Sequence, residues 1–305
     1  MTLKFSIFAV YAALVGCTHV AAAPAPSILR DACSVTMIEP QNALIHVPFK
    51  IVQGRVYVQA RVNDGGPYTF AVDTGASGVG RADASLTREL ALPIIKTTET
   101  SDGVNVATVN MTRFDSLALG GFVMNNLEVI TRNYSGKAPP DAAISGIIGR
   151  EFFADGLLVI DFPTQTLSFS RKQLLTPDHP GALTYSRPFR VPVSIGDVET
   201  TGNIDTGANI SLVVPKALYE TVDASPLGAT QEGQLTNTAI ETHRAFIHGP
   251  VQIGDASESD FEIRVSDRYP ELLVGGKFLQ KYRMAIDQRS RAIAICSPET
   301  SRKGD

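Results

Sequence analysis

The chain has only three cysteines and five histidines, and neither type is arranged as a metal-binding motif. There is no Cys-x-x-Cys pair and no His-Glu-x-x-His signature, the spacings that place ligands around a metal ion. A phosphate-binding glycine loop and the Gly-x-Gly-x-x-Gly dinucleotide fingerprint are missing as well. The sequence therefore predicts neither a metal nor a cofactor.

An excess of positive charge is also missing. The formal net charge is −4, whereas a nucleic-acid-binding domain carries a basic face. The 305 residues are 44% hydrophobic and 19% charged, which is an ordinary globular composition with enough length for two cores. We therefore expect a folded protein without a nucleic-acid partner.

No apolar run near the N-terminus reaches the roughly 20 residues that a membrane-spanning helix needs. The run from Phe5 to Gly16 follows a cationic start and is typical of a secretory signal, so residues 1–23 are predicted to be a leader and the protein to be exported. Two ways of processing this leader remain open. Leu14-Val15-Gly16-Cys17 resembles a bacterial lipobox, in which a lipidated Cys17 attaches the protein to a membrane, whereas Val20-Ala21-Ala22 fits ordinary cleavage.

Two further features bear on the compartment. Asn-x-Ser/Thr triplets begin at Asn110, Asn133 and Asn209, and a glycan on the third would stand directly behind the motif described next, which favours a bacterial periplasm or outer-membrane lipoprotein over eukaryotic secretion. Export also allows Cys33 and Cys296 to form a disulfide. Two unrelated buried thiols are the alternative.

The most informative feature is a stretch that occurs twice. Asp73-Thr74-Gly75-Ala76 returns as Asp205-Thr206-Gly207-Ala208, and each copy follows apolar residues. Each is also followed by an apolar-apolar-Gly segment, Ile147-Ile148-Gly149 and Leu273-Val274-Gly275. Because a repeat determines the whole fold, we predict one lobe built twice.

Alternating apolar and polar residues predict strands that lead into both motifs. The first pair runs from Val56 to Val62 and from Tyr68 to Val72, and the region from Val191 to Asp205 repeats it. Helical composition is confined to Ala82–Leu90 and Pro215–Val222. The sequence therefore predicts an all-β protein with a short helix after each motif.

Two polar segments have the composition of hairpin tips. Ser101-Asp102-Gly103 has Thr236-Asn237-Thr238 as its counterpart, and a mobile polar hairpin is often a binding lid; an ordinary surface turn is the alternative. Turn residues also predict a linker between the lobes. The expected organisation is a leader (1–23), an N-terminal segment (24–44), a first lobe (45–170), the linker (171–187), a second lobe (188–297) and a tail (298–305).

An aspartate at a strand end before a glycine suits catalysis, because the glycine lets backbone N–H groups approach the carboxylate. Two such carboxylates about 4 Å apart repel by roughly 4 kcal/mol at an effective dielectric near 20, so the pair keeps one proton over a wide pH range. The ionised member can take a proton from water while the protonated member hydrogen-bonds a carbonyl. This is acid–base hydrolysis without a covalent intermediate.

The paired motifs resemble the aspartic peptidases, retroviral and pepsin-like, over about residues 45–296. The resemblance implies two pseudo-twofold-related lobes, each a small closed β-barrel, in a monomer that cleaves a peptide or protein substrate without metal or cofactor. It implies catalytic roles for Asp73 and Asp205, bracing by Thr74 and Thr206, turns made by Gly75 and Gly207, and support from the two apolar-apolar-Gly segments.

The chain departs from the pepsin-like pattern. Ala76 and Ala208 stand where pepsin-like enzymes usually carry Ser or Thr, and alanine at this position resembles the retroviral type. Because alanine offers no hydroxyl donor to the carboxylate, the pKa of the pair should be raised. We therefore expect a weakly acidic optimum. No Tyr lies between Ile95 and Thr131 to match a pepsin-type flap tyrosine, and the short N-terminal segment argues against zymogen control.

Other interpretations have less support. The Gly75–Val79 stretch misses the Gly-x-Ser-x-Gly elbow of serine hydrolases at its last position. Asp161 and Asp287 recur in the repeat, but each lies between an apolar strand and a turn, which predicts structural caps. A catalytically silent envelope protein that binds peptides in the same cleft is the alternative function. Assembly from two chains is disfavoured, because one chain supplies both halves.

Overall fold

The computed structural model describes Met1 and residues 30–102, 104–136, 138–234 and 237–298. The predicted leader with Cys17, residues 24–29, Gly103, Thr236 and most of the predicted tail lie outside the described residues. Strands dominate the described part of the chain, so the all-β prediction is confirmed. No helix in this part is long and apolar enough to cross a membrane.

The strands form two successive series. The first series is β1 (Ile45–Pro48), β2 (Lys50–Val52), β3 (Arg55–Val62), β4 (Gly65–Asp73), β5 (Gly80–Asp83), β6 (Lys96–Ser101), β7 (Val106–Leu119), β8 (Phe122–Arg132), β9 (Gly146–Gly149), β10 (Leu157–Asp161) and β11 (Thr166–Ser170). The second is β12 (Leu183–Thr184), β13 (Arg190–Ile195), β14 (Val198–Asp205), β15 (Leu212–Pro215), β16 (Thr230–Gln234), β17 (Ala239–Ile247), β18 (Val251–Ile253), β19 (Ala256–Glu258), β20 (Phe261–Ser266), β21 (Leu272–Gly275), β22 (Arg283–Asp287) and β23 (Ala292–Cys296).

The helices are short: α1 (Ala32–Val35), α2 (Ala84–Glu89), α3 (Lys216–Tyr219) and α4 (Gly276–Leu279), with 3-10 turns at Pro40–Asn42, Pro140–Ala142 and Arg150–Phe153. The two predicted helices exist as α2 and α3, but both are shorter than expected. The α2 boundary has a physical cause, because Asp83 ends β5 and accepts a hydrogen bond from the Ser85 N–H as the N-cap. The expectation that helices follow only the motifs is wrong, since α1 and α4 lie elsewhere.

Each repeated motif lies in its own sheet. One sheet has the strand order β2-β3-β4-β9-β5-β8-β7-β6, and the other has the order β16-β17-β20-β15-β21-β14-β13-β18-β19. In the first, β4 runs parallel to β9 and Asp73 lies beside Gly149. In the second, β14 runs parallel to β21 and Asp205 lies beside Gly275. The strand arrangement around the two aspartates is therefore the same, whereas closure of each lobe into a barrel stays a prediction.

A third sheet contains strands of both halves, in the order β1-β11-β10-β22-β23-β12. Its central pair is β10 with β22, which are antiparallel along their whole length. Residues 183–184 of the predicted linker form β12 at its edge, where they pair with β23. The two halves are thus joined by continuous backbone hydrogen bonding.

A disulfide between Cys33 and Cys296 ties the N-terminal segment to β23, as predicted. The Cα atoms are 5.6 Å apart, within the range that a disulfide spans without backbone movement. Below it lies a small apolar cluster that includes Leu157, Leu175 and Ala294. The bond therefore anchors the chain ends to the sheet that joins the halves.

Replacing both cysteines with serine should lower the free energy of unfolding by about 2–4 kcal/mol, because the unfolded chain loses a crosslink that closes a very long loop. Urea unfolding under oxidising conditions measures this difference. In a reducing buffer the native protein should approach the double variant. If the native protein and the double variant were equally stable under oxidising conditions, the disulfide would have no stabilising role.

Candidate active site

The structure brings the two predicted aspartates together. Asp73 ends β4 and Asp205 ends β14, and the negative charge of Asp73 raises the pKa of Asp205. A Cβ on Gly75 would lie 2.5 Å from Cγ of Asp205, and a Cβ on Gly207 would collide with the Asp73 carboxyl in the same way. Each carboxyl thus lies over the glycine of the opposite turn, a position that any side chain would block.

Backbone N–H groups orient both carboxyls. Oδ1 of Asp73 accepts a hydrogen bond from the Ala76 N–H at 2.9 Å, and Oδ1 of Asp205 accepts one from the Gly207 N–H at 2.8 Å. Such donors fix the direction of a carboxylate and favour its ionised form. The two donors come from different positions of the turns, so the pair is not fully symmetric.

The two threonines cross-brace the turns. The Thr74 N–H donates to Oγ1 of Thr206 at 3.1 Å, and the Thr206 N–H donates to Oγ1 of Thr74 at 3.0 Å. Each hydroxyl then donates to a carbonyl of the other half, Thr74 to Ile204 at 3.2 Å and Thr206 to Val72 at 2.8 Å. Both threonines are buried. The four bonds hold the strand ends that carry the aspartates at a fixed separation.

The apolar-apolar-Gly segments support the turns from behind. The Gly149 N–H donates to Val79 and the following Arg150 N–H donates to Ala76 at 3.1 Å. In the second half the Gly276 N–H donates to Ala208 at 2.9 Å. Each turn is therefore held by backbone hydrogen bonds from its own half as well as by the threonine bonds to the other turn.

The pKa of Asp205 is raised to about 8, compared with about 3.9 for an unperturbed aspartate. Burial is the largest cause, followed by the negative charge of Asp73 and the hydrogen bond to it, while the Gly207 N–H and the charge of Arg55 act in the opposite direction. Both aspartates are nevertheless only half-buried. The pair therefore holds a proton near neutral pH while part of its surface stays accessible.

Two arginines that the sequence did not single out hold the glycine carbonyls of the turns. Nε of Arg55 donates to the Gly207 carbonyl at 2.7 Å, and Nη1 of Arg150 donates to the Gly75 carbonyl at 3.2 Å. Arg150 follows a repeated segment, but the equivalent position in the second copy is Gly276. Comparison of the copies therefore did not reveal this pair of braces.

The two polar hairpins exist, and their tips are joined. β6 pairs with β7 up to Ser101 and Val106, and β16 pairs with β17 up to Gln234 and Ala239. Asn237, at the second tip, makes most of the connections between them. Its N–H donates to Oδ2 of Asp102 at 2.7 Å, its Nδ2 donates to the carbonyls of Thr100 and Asn105 at 3.0 Å each, and its Oδ1 accepts from Nη1 of Arg132 at 2.5 Å.

Two tyrosines lie near the aspartates, although neither is at a hairpin tip. Burial raises the pKa of Tyr269 to about 12, and the negative charges of Asp205 and Asp102 add to this shift. Burial also raises the pKa of Tyr134, on which the charge of Asp73 acts in the same direction. Tyr269 is thus within electrostatic range of both the dyad and the first hairpin tip.

The remaining repeated aspartates have structural contacts. Asp161 accepts a hydrogen bond from the Thr164 N–H in a turn, and Asp287 is fully buried with an ion pair to Arg289 at 2.6 Å. One open cavity of about 610 Å³ lies between α2 and the ends of β7 and β8, and no residue of the Asp-Thr-Gly turns lines it. The geometry of the dyad, rather than this cavity, therefore marks the candidate site.

Comparison with known proteins agrees with this location. Residues 58–152 match a family model described as an aspartyl protease, and the match includes the first Asp-Thr-Gly turn and Ile147-Ile148-Gly149. No curated protein matches the chain. The matched region is therefore similar to aspartyl proteases.

Proposed function

We propose that this protein is an exported, single-chain aspartic endopeptidase, in which Asp73 and Asp205 hydrolyse peptide bonds with one activated water. The observation that carries the proposal is the dyad itself. Two carboxyls on equivalent strand ends each lie over the glycine of the opposite turn, and the pKa of one is raised to about 8. A pair that shares one proton contains both the base and the acid that amide hydrolysis needs.

In this proposal the raised pKa of Asp205 assigns the roles in the free enzyme. Asp205 keeps its proton up to about pH 8 and donates a hydrogen bond to the substrate carbonyl, while Asp73 accepts a proton from the attacking water. Thr74 and Thr206 hold the strand ends, and Gly75 and Gly207 allow the close approach of the carboxyls. These four residues are positioning residues rather than reacting groups. The roles of the two aspartates exchange as the tetrahedral intermediate collapses.

The architecture in this proposal is two lobes, each a closed barrel around one motif-bearing sheet, in a monomer. The matching registers Asp73–Gly149 and Asp205–Gly275 support a duplicated unit. Export to a bacterial periplasm, with or without lipid on Cys17, follows from the leader and agrees with the disulfide. The substrate is a peptide or protein, and no metal or cofactor takes part.

The decisive assay uses the mature protein, a diverse peptide pool and mass spectrometry across pH 3 to 7. Cleavage that disappears in the Asp205→Asn variant supports the proposal. The rival function is a silent envelope protein that binds peptides in the same cleft. Binding of a pepstatin-type inhibitor without turnover at any of these pH values would favour that rival.

The joined hairpin tips are a lid over the bound peptide in this proposal. Asn237→Ala removes two side-chain hydrogen bonds to the first tip and one to Arg132 at the end of β8. We therefore expect kcat/KM to fall by about tenfold or more, since each bond contributes about 0.5–1.5 kcal/mol. Steady-state kinetics measure the change. The matched control is Thr97→Ala, at an exposed position of the first hairpin away from its tip. An unchanged kcat/KM in Asn237→Ala would contradict a lid role.

A further inference from the structure

Arg81 occupies an unusual position in β5, directly after the first turn. β5 alternates, and Ala82 faces the main apolar core, so Arg81 faces the opposite side of the sheet. There it pairs with Ile147 on β9. Ile147 belongs to a small cluster with Ala76 and Tyr134, and the Ala76 N–H donates to the Asp73 carboxyl. Arg81 therefore lies on the face of the sheet that carries the dyad.

This arginine is largely buried and forms no ion pair among the described residues. Only 7% of its surface is exposed, and its Nε has no hydrogen-bond partner. Its guanidinium lies beside the Tyr134 hydroxyl, which is also buried without a partner of ordinary geometry. The nearest carboxylate along the strand, Asp83, is occupied by the N–H groups of Ser85, Tyr134 and Ser135 and by the Ser85 hydroxyl.

An unpaired buried charge is costly, because the group loses hydration and gains no partner. Deletion of a charged group is normally favoured at such a position unless another molecule supplies the opposite charge. Two other charges act on the Tyr134 hydroxyl. Arg132 is itself a cation, and the dyad member Asp73 forms no ion pair with Arg81 among the described residues. The described residues thus supply no ion-pair partner for Arg81.

The second half of the chain offers an internal comparison. Val213 occupies the same register as Arg81, because it pairs with Leu273 on β21 as Arg81 pairs with Ile147 on β9. Both positions are 7% exposed. The equivalent place in the second sheet is therefore filled by an apolar side chain. The two sides of the dyad differ in charge at this position.

We propose that Arg81, together with the Tyr134 hydroxyl, forms a subsite in the first half that binds a substrate carboxylate, whereas the equivalent Val213 subsite binds an apolar side chain. This inference rests on the proposed peptidase function and adds a substrate class to it. Arginine binds a carboxylate through two parallel hydrogen bonds, and a tyrosine hydroxyl can donate a third. The carboxylate is either a Glu or Asp side chain or the C-terminus of a peptide.

The test begins with cleavage of a proteome-derived peptide pool at pH 6, where peptide carboxyls are ionised. Well-cleaved sequences are then synthesised as Glu and Gln pairs at each position around the cleaved bond, and as free acids and C-terminal amides. The wild-type protein should prefer one Glu peptide over its Gln partner by about tenfold or more in kcat/KM. If the terminal carboxylate is the ligand, the preference appears in the acid–amide pair instead.

The preference should disappear in Arg81→Val, which introduces the residue that the second half carries. It should persist in reduced form in Arg81→Lys, which keeps the positive charge but loses the planar guanidinium that binds a carboxylate through two hydrogen bonds. Arg61→Val makes the same change of charge at an exposed position and should leave the ratio unaltered. The comparison uses ratios within each variant, so a general loss of activity does not affect it. The ratio should also decrease below about pH 4, as the Glu side chain becomes neutral.

A binding measurement separates this inference from the peptidase proposal. Fluorescence anisotropy of labelled Glu and Gln peptides on Asp205→Asn, with and without Arg81→Val, requires no turnover. Selective binding that depends on Arg81 supports the subsite even if the wild-type protein cleaves nothing. Cleavage with equal rates and equal affinities for every Glu–Gln and acid–amide pair, or a preference that survives Arg81→Val, overturns the subsite and leaves the peptidase proposal intact.

Discussion

Asp73→Asn and Asp205→Asn should each lower kcat for peptide hydrolysis by at least about 10³-fold. An asparagine at position 73 cannot accept a proton from water, and one at position 205 cannot supply the shared proton, so each change removes one half of the acid–base pair, a contribution of about 10²–10⁴-fold. Loss of the shared hydrogen bond between the carboxyls adds to the effect. KM should change little, because the amide is similar in size to the carboxyl that it replaces.

The matched control is Asp161→Asn, the same chemical change at another aspartate of the repeat. Asp161 accepts a hydrogen bond from the Thr164 N–H and lies 3.9 Å from a nitrogen of Arg283, which predicts a small loss of stability and a kcat within about twofold of the wild-type value. Thermal unfolding of all three variants verifies that they are folded. Substantial cleavage by either dyad variant would remove the acid–base mechanism, whatever the behaviour of the control.

The proximity of Asp73 and Asp205 could be predicted from the sequence, because the motif is contiguous and occurs twice. Strand ends at Asp73 and Asp205 follow from apolar runs that stop at a glycine turn. The mutual bonds of Thr74 and Thr206 were expected only from the resemblance. No sequence pattern marks Arg55, whose contact with the Gly207 carbonyl joins residues 152 positions apart.

The sheet that joins the two halves could not be predicted from local pattern. β10 and β22 are buried almost throughout, so they lack the alternation that reveals which face a strand presents and which strand it pairs with. Their pairing is long-range, and apolar strands of this kind are interchangeable in composition. The helices α1 and α4 have four residues each, which is too short for a helical period to appear.

Arg81 illustrates a second limit of sequence analysis. In the sequence it is one arginine among several near a turn, and its importance depends on three facts of the fold: its burial, the absence of an ion pair among the described residues and its equivalence to Val213. The repeat could have aligned Arg81 with Val213 in advance. The alignment alone would not have shown that Arg81 is buried on the face of the sheet that carries the dyad.

The pH dependence of catalysis should have its alkaline limit near pH 8. The active dyad carries one proton, and the pKa of Asp205 at about 8 marks the pH at which that proton is lost. Above this value kcat/KM should fall about tenfold per pH unit, since the doubly ionised pair has no acid to donate. The optimum should be weakly acidic, where the single proton is fully retained. A rate maximum below about pH 3 would contradict this assignment.

The same pKa makes a separate prediction for stability. The folded protein retains the Asp205 proton up to about pH 8, whereas the unfolded chain releases it near pH 4. Between these values the folded state binds more protons than the unfolded state, so Asp205 makes the free energy of unfolding decrease as pH rises, by up to about 1.4 kcal/mol per pH unit. Asp205→Asn removes this dependence and should therefore gain stability relative to the wild-type protein between pH 5 and pH 8.

Urea unfolding of both proteins at several pH values measures the difference, and Asp161→Asn again provides the control. A gap between wild type and Asp205→Asn that widens with pH would locate the retained proton in the folded dyad without any substrate. A constant gap would mean that Asp205 ionises normally in the folded state, and the shared proton would then be absent. Because the measurement is independent of turnover, it tests the electrostatics of the dyad even for a protein that only binds peptides. A gap that widens with pH would also mean that the dyad lowers the stability of the wild-type protein, a cost that acid–base chemistry explains.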